Sequence, residues 1–436
     1  MTTNIRSDLY TADFKAEPYW WDTAKPESGS DEMPAGNVDV LIIGSGYTGL
    51  NAAIQTARGG RDTLVLDAEQ AGWGCSSRNG GQISTSVKAG YEELAARYGK
   101  EKAFSILNDA KQSLAWIKQF VADENIDCDM TEVGRFHAAH NPAQFGKLTK
   151  QIGQQVPGLE NDAFVVERGD QRNELGTDAY YGGVVFPQHA SVNPGKYHCG
   201  LMKLAKDAGA SIVTQCPAVD IQHTRHGFRV YTPKGEINAN QVVIATNGYT
   251  GSLTPWQRRR VIPIGSYVIA TEPLADGLMD QLMPKNRIVS DSRKVVFYYR
   301  SSPDRSRIVF GGRVSHNETD ALVSGPKLHR ALVNIFPELA ATRISHSWVG
   351  FVAYTFDTLM HKGRRDGVHY AMGYCGSGVG MASYLGMRLG QQVLGLPEGK
   401  TAFDDIPFPT RPLYTGNPWF LGASVMYYRC RDRLNI

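Results

Sequence analysis

The apolar positions along the 436-residue chain change period several times. Residues 38–43, VDVLII, form a nearly unbroken apolar run of the length of a buried parallel strand. Directly after it, Leu50, Ala53, Ile54 and Ala57 fall at i, i+3, i+4 and i+7, the spacing of a helix with one inward face. A second short strand is expected at 63–66. Over 101–121, Phe104, Leu107, Ala110, Leu114, Ile117 and Val121 mark a long amphipathic helix. Strands follow around 134–139 and 181–186. After Asn193-Pro194 comes a helix with Tyr197, Leu201, Leu204, Ala205 and Ala208 inward. Residues 211–214, 227–231 and 242–245 read as strands, the last running into Thr246-Asn247-Gly248. From 260 to 313 the pattern turns antiparallel, with the runs RVIPIGSYVIATEPL, KVVFYYR and RIVFGGR between turn residues. A short helix over 327–335, a strand over 368–372, the turn GYCGSGVG and a helix carrying Met381, Leu385 and Leu389 complete the pattern.

The first strand–helix junction contains Gly44, Gly46 and Gly49 in the spacing G-x-G-x-x-G. The first glycine permits a tight turn, the second a close backbone approach to a pyrophosphate, and the third close packing of helix on strand. The helix N-terminus then faces the phosphates. Asp67 ends the second strand 18 residues after Gly49, where a carboxylate can bind ribose hydroxyls. Strand, helix and acid in that order predict binding of an adenine dinucleotide. Nucleotide-type pieces stand at the beginning, middle and end of the chain, with antiparallel sheet between. The fold class expected is α/β (α+β), a Rossmann-type domain interrupted by an antiparallel-sheet substrate domain. The nucleotide unit is assigned 36–98, 192–258 and 346–400, and the substrate unit 99–191 and 259–345. Residues 1–35 and 401–436 are terminal extensions, the first anchored by Tyr19, Trp20 and Trp21.

Composition narrows the picture further. Hydrophobic residues at 42% and charged residues at 20% are those of a soluble globular protein. A net charge of +3, with Arg258-Arg259-Arg260 the lone basic run, leaves no nucleic-acid footprint. Six scattered cysteines without C-x-x-C fit reduced thiols in the cytoplasm. No metal site is expected: there is no H-E-x-x-H, and His137 and His140 fall on opposite faces of a strand. The N-terminus has no apolar signal-peptide core. Residues 419–428 are apolar but too few to span a bilayer, and are expected to pack on the protein; membrane contact is not expected.

These motifs in this order resemble the FAD-dependent oxidoreductases of the D-amino-acid oxidase/sarcosine oxidase family, most closely the γ-glutamylputrescine oxidase branch of amine oxidases. The segments that carry the resemblance are IIGSGYTGL, Asp67, GWGCSSRNGGQ, VIATNGYTG, FGGR and GYCGSGVGMA. The resemblance implies FAD lying extended, with Gly44, Gly46 and Gly49 at the pyrophosphate and Asp67 at the adenosine ribose. Arg78, Asn79, Gly80, Gly81 and Gln82 would run beside the flavin. Gly376, Ser377, Gly378, Val379 and Gly380 would face its N1–C2=O edge, where a helix N-terminus stabilises negative charge. Thr246 and Asn247 would close the middle strand near the cofactor. Ser45, Tyr47, Thr48, Ala68, Cys75, Ser76, Ala218, Val219, Gly248 and Met381 complete the cofactor contacts so implied. The cysteine or histidine through which some relatives bind flavin covalently does not occur at the matching positions, so dissociable FAD is expected. The lysine that helps some relatives activate oxygen is also missing, from 307–310.

The implied chemistry is hydride transfer to flavin N5 from the carbon beside an amine nitrogen. The resulting imine hydrolyses, and oxygen is reduced to hydrogen peroxide. An aromatic pocket would keep the amine neutral. Tyr267, Tyr298, Tyr299 and Trp348 are the candidate catalytic residues, with Phe297 and Phe351 as further walls. Alternation places Tyr298 and Arg300 on one face and Phe297 and Tyr299 on the other, without deciding which faces the flavin. Arg300 is either a carboxylate ligand or a salt bridge, and His189 a structural histidine. Two alternatives stand beside this reading: an amine dehydrogenase passing electrons to a quinone or carrier protein, and a non-catalytic nucleotide-binding protein.

Overall fold

The computed structural model describes residues 7–434 except 31, 34, 35, 86, 316 and 317, so the first six residues of the expected N-terminal extension lie outside the described residues. Two large sheets carry the fold. In the first, Ser211–Val213, Thr63–Leu66, Asn37–Ile43, Gly235–Ile244 and Val368–Met372 run parallel, neighbour to neighbour. Ile43 stands between Leu66 and Ile244, and Ile244 pairs with Tyr370, so these strands end at one level. Their following loops therefore gather at the carboxyl edge, the place where open parallel sheets bind ligands. An antiparallel ribbon, Asp220–Thr224 and Gly227–Thr232, extends the sheet from Gly235–Ile244.

Helices Tyr47–Arg58 and Gly378–Val393 cross on this sheet almost backbone to backbone. A Cβ on Gly386 would lie 2.5 Å from the Thr48 carbonyl oxygen, and one on Gly390 2.8 Å from that of Ala52. The helix Pro194–Asp207 starts where the sequence places it. Asn193 accepts hydrogen bonds from Gly195 N and Lys196 N, and Pro194 takes the first helical position.

The second sheet has nine strands in the order Tyr10–Lys15, Ile344–Thr355, Val261–Thr271, Ile308–Gly312, Phe297–Ser301, Ile288–Asp291, Arg135–Ala138, Gly183–Phe186 and Phe164–Val166. Its outer face is covered by the helix Ala321–Ile335, which Asp320 caps by accepting from Val323 N. The sequence expects this helix only from 327, because Pro326 lies inside it. Pro326 has no N–H for the Leu322 carbonyl four residues back, and Tyr10 Oη donates to that carbonyl at 2.8 Å instead.

Three expectations change. Residues 10–15 are a strand paired in parallel with Ile344–Thr355, so the start of the chain is an edge of the sheet rather than an appendage. Ile344–Thr355 belongs wholly to the nine-stranded sheet, so the boundary drawn at 346 falls inside a strand. The apolar stretch 419–428 does not pack down as expected. Leu421 and Val425 are buried, but Trp419 is 70% and Tyr427 58% exposed. No described helix is long and apolar enough to cross a membrane.

Candidate active site

The turn after Ile43 is shaped by its glycines. Gly44 adopts φ +108°, and its N–H donates to Leu66 O at 2.8 Å. A Cβ on Gly49 would overlap the Gly44 carbonyl oxygen, and one on Gly46 would lie 2.9 Å from Ser76 Oγ. Ser76 Oγ accepts from Tyr47 N at 3.0 Å. The helix N-cap is Gly46, which has no capping side chain. That leaves first-turn N–H groups for an incoming oxygen, the arrangement a diphosphate requires. Asp67 lies against the same turn. Its Oδ2 accepts from Ser45 N at 2.8 Å and Ser45 Oγ at 2.6 Å, and its Oδ1 from Glu69 N. Cys216 N donates to Asp67 O, which brings half-buried Ala218 and exposed Val219 to this end beside exposed Ala68.

The C-terminal glycine turn meets the first one directly. Tyr374 Oη and Thr48 Oγ1 are hydrogen-bonded at 2.6 Å. Asn247, at φ +42°, accepts from Gly373 N through Oδ1 at 3.0 Å, tying the middle strand's turn to the last. Thr246 bonds Thr250 through their hydroxyls, and a Cβ on Gly248 would lie 2.5 Å from Phe351 O. The helix from Gly378 has Ser377 as N-cap without a side-chain capping bond. Val379, Gly380 and Met381 are buried behind its first turn. Cys375 is buried, with Sγ donating to Gly373 O, and burial pushes its thiol up to about 11. At Gly376, φ +93°, a Cβ would stand 3.8 Å from Tyr354 Oη and 4.0 Å from Lys88 Nζ.

Between the two sheets runs the segment 75–82, held by three indoles. Trp21 Nε1 donates to Ser77 Oγ, Trp348 Nε1 to Arg78 O and Trp20 Nε1 to Asn79 O, each at 2.8 Å. The Arg78 guanidinium lies 4.7 Å from the ring centroids of both Trp21 and Trp73 and donates to Trp73 O and Val349 O. Asn79 Nδ2 donates to Cys75 O, Ser76 O and Tyr47 Oη, while its Oδ1 accepts from Gly81 N. Gly80 lies against the Tyr298 ring, and Gln82 Nε2 donates to Val289 O and Tyr299 O of the nine-stranded sheet.

The strand register settles which tyrosines face this segment. His137, Ser290, Tyr298, Gly311, Val268 and Trp348 are successive partners across six strands and form one row. Tyr298 packs on Gly311, where a larger residue would overlap its ring, and bonds Ser266 Oγ at 2.8 Å. Burial pushes its phenol up to about 12, so it stays protonated. Tyr299 and Tyr267, named from sequence as catalytic candidates, point the other way. Tyr299 is fully buried beside Phe310 and Phe336, with its hydroxyl on Tyr180. Tyr267 Oη donates to Glu318 Oε2 at 2.7 Å and accepts from Thr319 N. Phe297 stacks on Phe310 on that same outer side, and Phe351 sits edge-on to Tyr249. Arg300 is neither a carboxylate ligand nor a salt bridge: it donates to Gly81 O, Val192 O and Ser301 O and so fixes the glycine segment. Its burial pushes the guanidinium down to about 10. His189 bonds Thr85 Oγ1 and stacks on Phe186.

Tyr354 and Lys88, which flank Gly376, and Arg135, on the sheet face of His137 and Tyr298, were not among the residues named from sequence. Tyr354 follows Trp348 and Gly350 on the same face by simple alternation, a signal that was available. Lys88 and Arg135 carry no periodic signal toward the site. Among the described residues no group of His, Cys, Asp and Glu could hold a metal.

Two glycine turns are thus joined at the carboxyl edge of a parallel sheet, and the row of the second sheet that carries Tyr298 and Trp348 lies on the side of segment 75–82. The family described as "DAO: FAD dependent oxidoreductase" matches residues 39–392. The chain is 29% identical to the gamma-glutamylputrescine oxidoreductase of Escherichia coli (strain K12), covering 91% of this chain and 93% of that protein. It is 30% identical to the probable oxidoreductase OrdL of Rhizobium meliloti (strain 1021), covering 95% and 97%. Among solved structures, glycine oxidase from Geobacillus kaustophilus superposes with a TM-score of 0.73 at 19% identity, covering 87% of this chain and 99% of that one. L-proline dehydrogenase from P. horikoshii superposes with a TM-score of 0.69 at 17% identity, covering 92% and 99%. The chain belongs to the DAO family of FAD-dependent oxidoreductases.

Proposed function

We propose that this enzyme oxidises a C–N bond of an amine, polyamine derivative or amino acid to an imine that water hydrolyses, with oxygen reduced to hydrogen peroxide, and that it acts in the cytoplasm. The observation that supports this best is the Thr48–Tyr374 bond, which sets the two glycine turns side by side opposite the Tyr298 row. The likeness to gamma-glutamylputrescine oxidoreductase supports an amine as substrate and a place in polyamine catabolism. FAD, once bound, supplies the hydride acceptor. Gly44–Gly49 and the helix behind them would hold its diphosphate, Asp67 its ribose, and the helix N-terminus at Gly378 its negatively charged edge. The nearest thiols, Cys75 and Cys375, are both pushed up to about 11 by burial. Thiols kept in that form are poor nucleophiles, which supports a dissociable cofactor.

The chain's own residues then act on the amine. Tyr298 and Tyr354 wall a cleft whose burial disfavours an ammonium, so the reacting nitrogen carries a free pair. Arg300 and the three indoles keep segment 75–82 fixed and position whatever stacks against it. A second reading, transfer of electrons to a quinone or carrier, draws on the apolar surface of the helix Leu421–Leu434, where Met426 and Tyr427 are exposed.

Anaerobic mixing of FAD-loaded protein with a panel of amines tests the first step: at least one is expected to bleach the visible flavin bands. No bleaching by any amine or amino acid would sink the reading. Readmitting air with a peroxidase-coupled assay separates the acceptors. Prompt reoxidation with one peroxide per amine is expected, whereas slow reoxidation favours the quinone or carrier.

A further inference from the structure

The helix Leu421–Leu434 is held to the body by one face and shows apolar side chains on the other. Leu421 and Val425 are buried, Arg429 donates to Arg313 O, and Asp432 accepts from Lys294 N and Val295 N. Spaced by four, four and three residues, these positions form the inward stripe. A second stripe, Ala423, Met426, Tyr427, Cys430 and Leu434, is exposed at every position and carries no charge. Trp419, 70% exposed, stands just before the helix. Among the described residues nine large hydrophobic side chains are exposed, and six of them fall within 413–434. A helix that is apolar on both sides is ordinarily covered on both, and apolar surface gathered this densely marks a contact face.

Charge decides what covers it. The chain has 46 Lys and Arg against 43 Asp and Glu, a formal surplus of +3. Residues 411–434 contain Arg411, Arg429, Arg431 and Arg433 against one carboxylate, Asp432, so this segment alone carries that surplus and the rest of the chain is balanced. Asp432 is turned to the N–H groups of the body, and the exposed Lys294 adds a cation beside it. A second copy seated on the stripe by a twofold axis would bring arginines against arginines, with the segment's carboxylate turned inward. An anionic lipid surface answers both features at once. Its headgroups attract arginine, while Trp and Tyr side chains settle at the headgroup boundary.

We propose that the helix Leu421–Leu434, with Trp419 before it, docks the protein on an anionic bilayer, lying among the headgroups. At 14 residues the helix is too short to cross. The docking does not depend on which acceptor takes the electrons, and it stands or falls apart from the amine-oxidation reading.

The FAD-loaded full chain is sedimented with vesicles of phosphatidylcholine alone and of phosphatidylcholine with phosphatidylglycerol in equal parts. Binding to the mixed vesicles is expected to be at least about tenfold tighter, and high salt is expected to release it. A triple variant, Trp419→Ser, Met426→Ser and Tyr427→Ser, changes only exposed side chains, so flavin content and thermal midpoint are expected to hold. Its binding to mixed vesicles is expected to fall by about tenfold or more. A double variant, Arg411→Gln and Arg431→Gln, keeps the apolar stripe and is expected to lose about tenfold or more as well; if the triple variant unfolds, this one decides alone. No sedimentation with mixed vesicles overturns the proposal, as does equal binding to both vesicle types or wild-type affinity in either variant. Wild-type protein that ignores vesicles but dimerises with rising concentration, and does not do so as the triple variant, assigns the face to a second copy. Wild-type protein that ignores vesicles but binds polyglutamate assigns it to an acidic protein, and either result overturns the lipid.

Discussion

Tyr298 and Tyr299 are neighbours in the chain and differ in everything else. Tyr298 lies in the cross-sheet row against Gly80 and Gly311, whereas Tyr299 closes the outer core against Phe310 and Phe336. Tyr298→Phe is expected to lower kcat/KM by about tenfold or more while leaving the thermal midpoint nearly unchanged, the mark of a group that acts at the reacting centre. Tyr299→Phe should do the opposite, costing about 1 kcal/mol of stability through loss of the bond to Tyr180, with kcat/KM retained. Steady-state kinetics beside thermal unfolding of the two variants checks the pair, and equal kinetic losses would refute the assignment of faces. Gly49 makes a sharper case. Any Cβ there meets the Gly44 carbonyl, so Gly49→Ala must push the helix off the turn. The expected outcome is a purified protein with far less flavin absorbance per chain than wild type and near-native far-ultraviolet circular dichroism. Full flavin content would show that the turn tolerates the shift.

Among the elements, the N-terminal segment does more than a terminal extension would. It contributes an edge strand, supplies Tyr10 to the carbonyl that Pro326 leaves open, and places Trp20 and Trp21 on segment 75–82. Replacing both indoles by phenylalanine removes two donors from that segment, each bond being worth ~1 kcal/mol. The double variant is expected to bind FAD about tenfold more weakly or worse, read by flavin fluorescence on titration, with the apoprotein's thermal midpoint lowered only slightly. An unchanged FAD affinity would reduce the two tryptophans to anchors. What could be read in advance follows from how local each signal is. The G-x-G-x-x-G turn, the helices Lys100–Asp123 and Pro194–Asp207, and the strand Val368–Met372 are written in adjacent residues by spacing and caps. The pairing of Tyr10–Lys15 with a strand more than 300 residues away leaves no local mark. Alternation separates Tyr298 from Tyr299 but cannot say which side the cofactor unit occupies, because that depends on the packing of one sheet on another. Lys88 sits in a loop without period, and its place beside Gly376 exists only in the assembled fold.

At the scale of the whole molecule, both sheets carry histidines that folding strips of water. Burial pushes His137 down to about 3, His189 to about 2, and His369, on the parallel sheet, to about 4. Each has a folded pKa below its ordinary value of 6.5, so between the two values the unfolded chain holds the extra proton. Above about pH 6.5 both states are neutral and these groups impose no penalty; as pH falls below that value the unfolded state gains, and stability is lost. Asp291 works in the opposite sense, since burial raises it to about 6 and the folded state takes up its proton first. Asp109, also raised by burial, acts with Asp291, whereas His140, His198 and His346, also lowered by burial, act with the three histidines, so the net expectation is a thermal midpoint that falls from about pH 6.5 toward about pH 4. His369 isolates the effect because it lies on the parallel sheet, in the strand Val368–Met372, where it bonds Gln241 through Nε2 and Gln392. Its shift corresponds to at most about 3 kcal/mol, so His369→Gln should flatten the acid limb of the midpoint-against-pH curve while leaving kcat unchanged at neutral pH. Thermal unfolding of wild type and variant across that range measures this directly. Parallel acid limbs would mean that His369 titrates normally and that the loss of stability arises elsewhere.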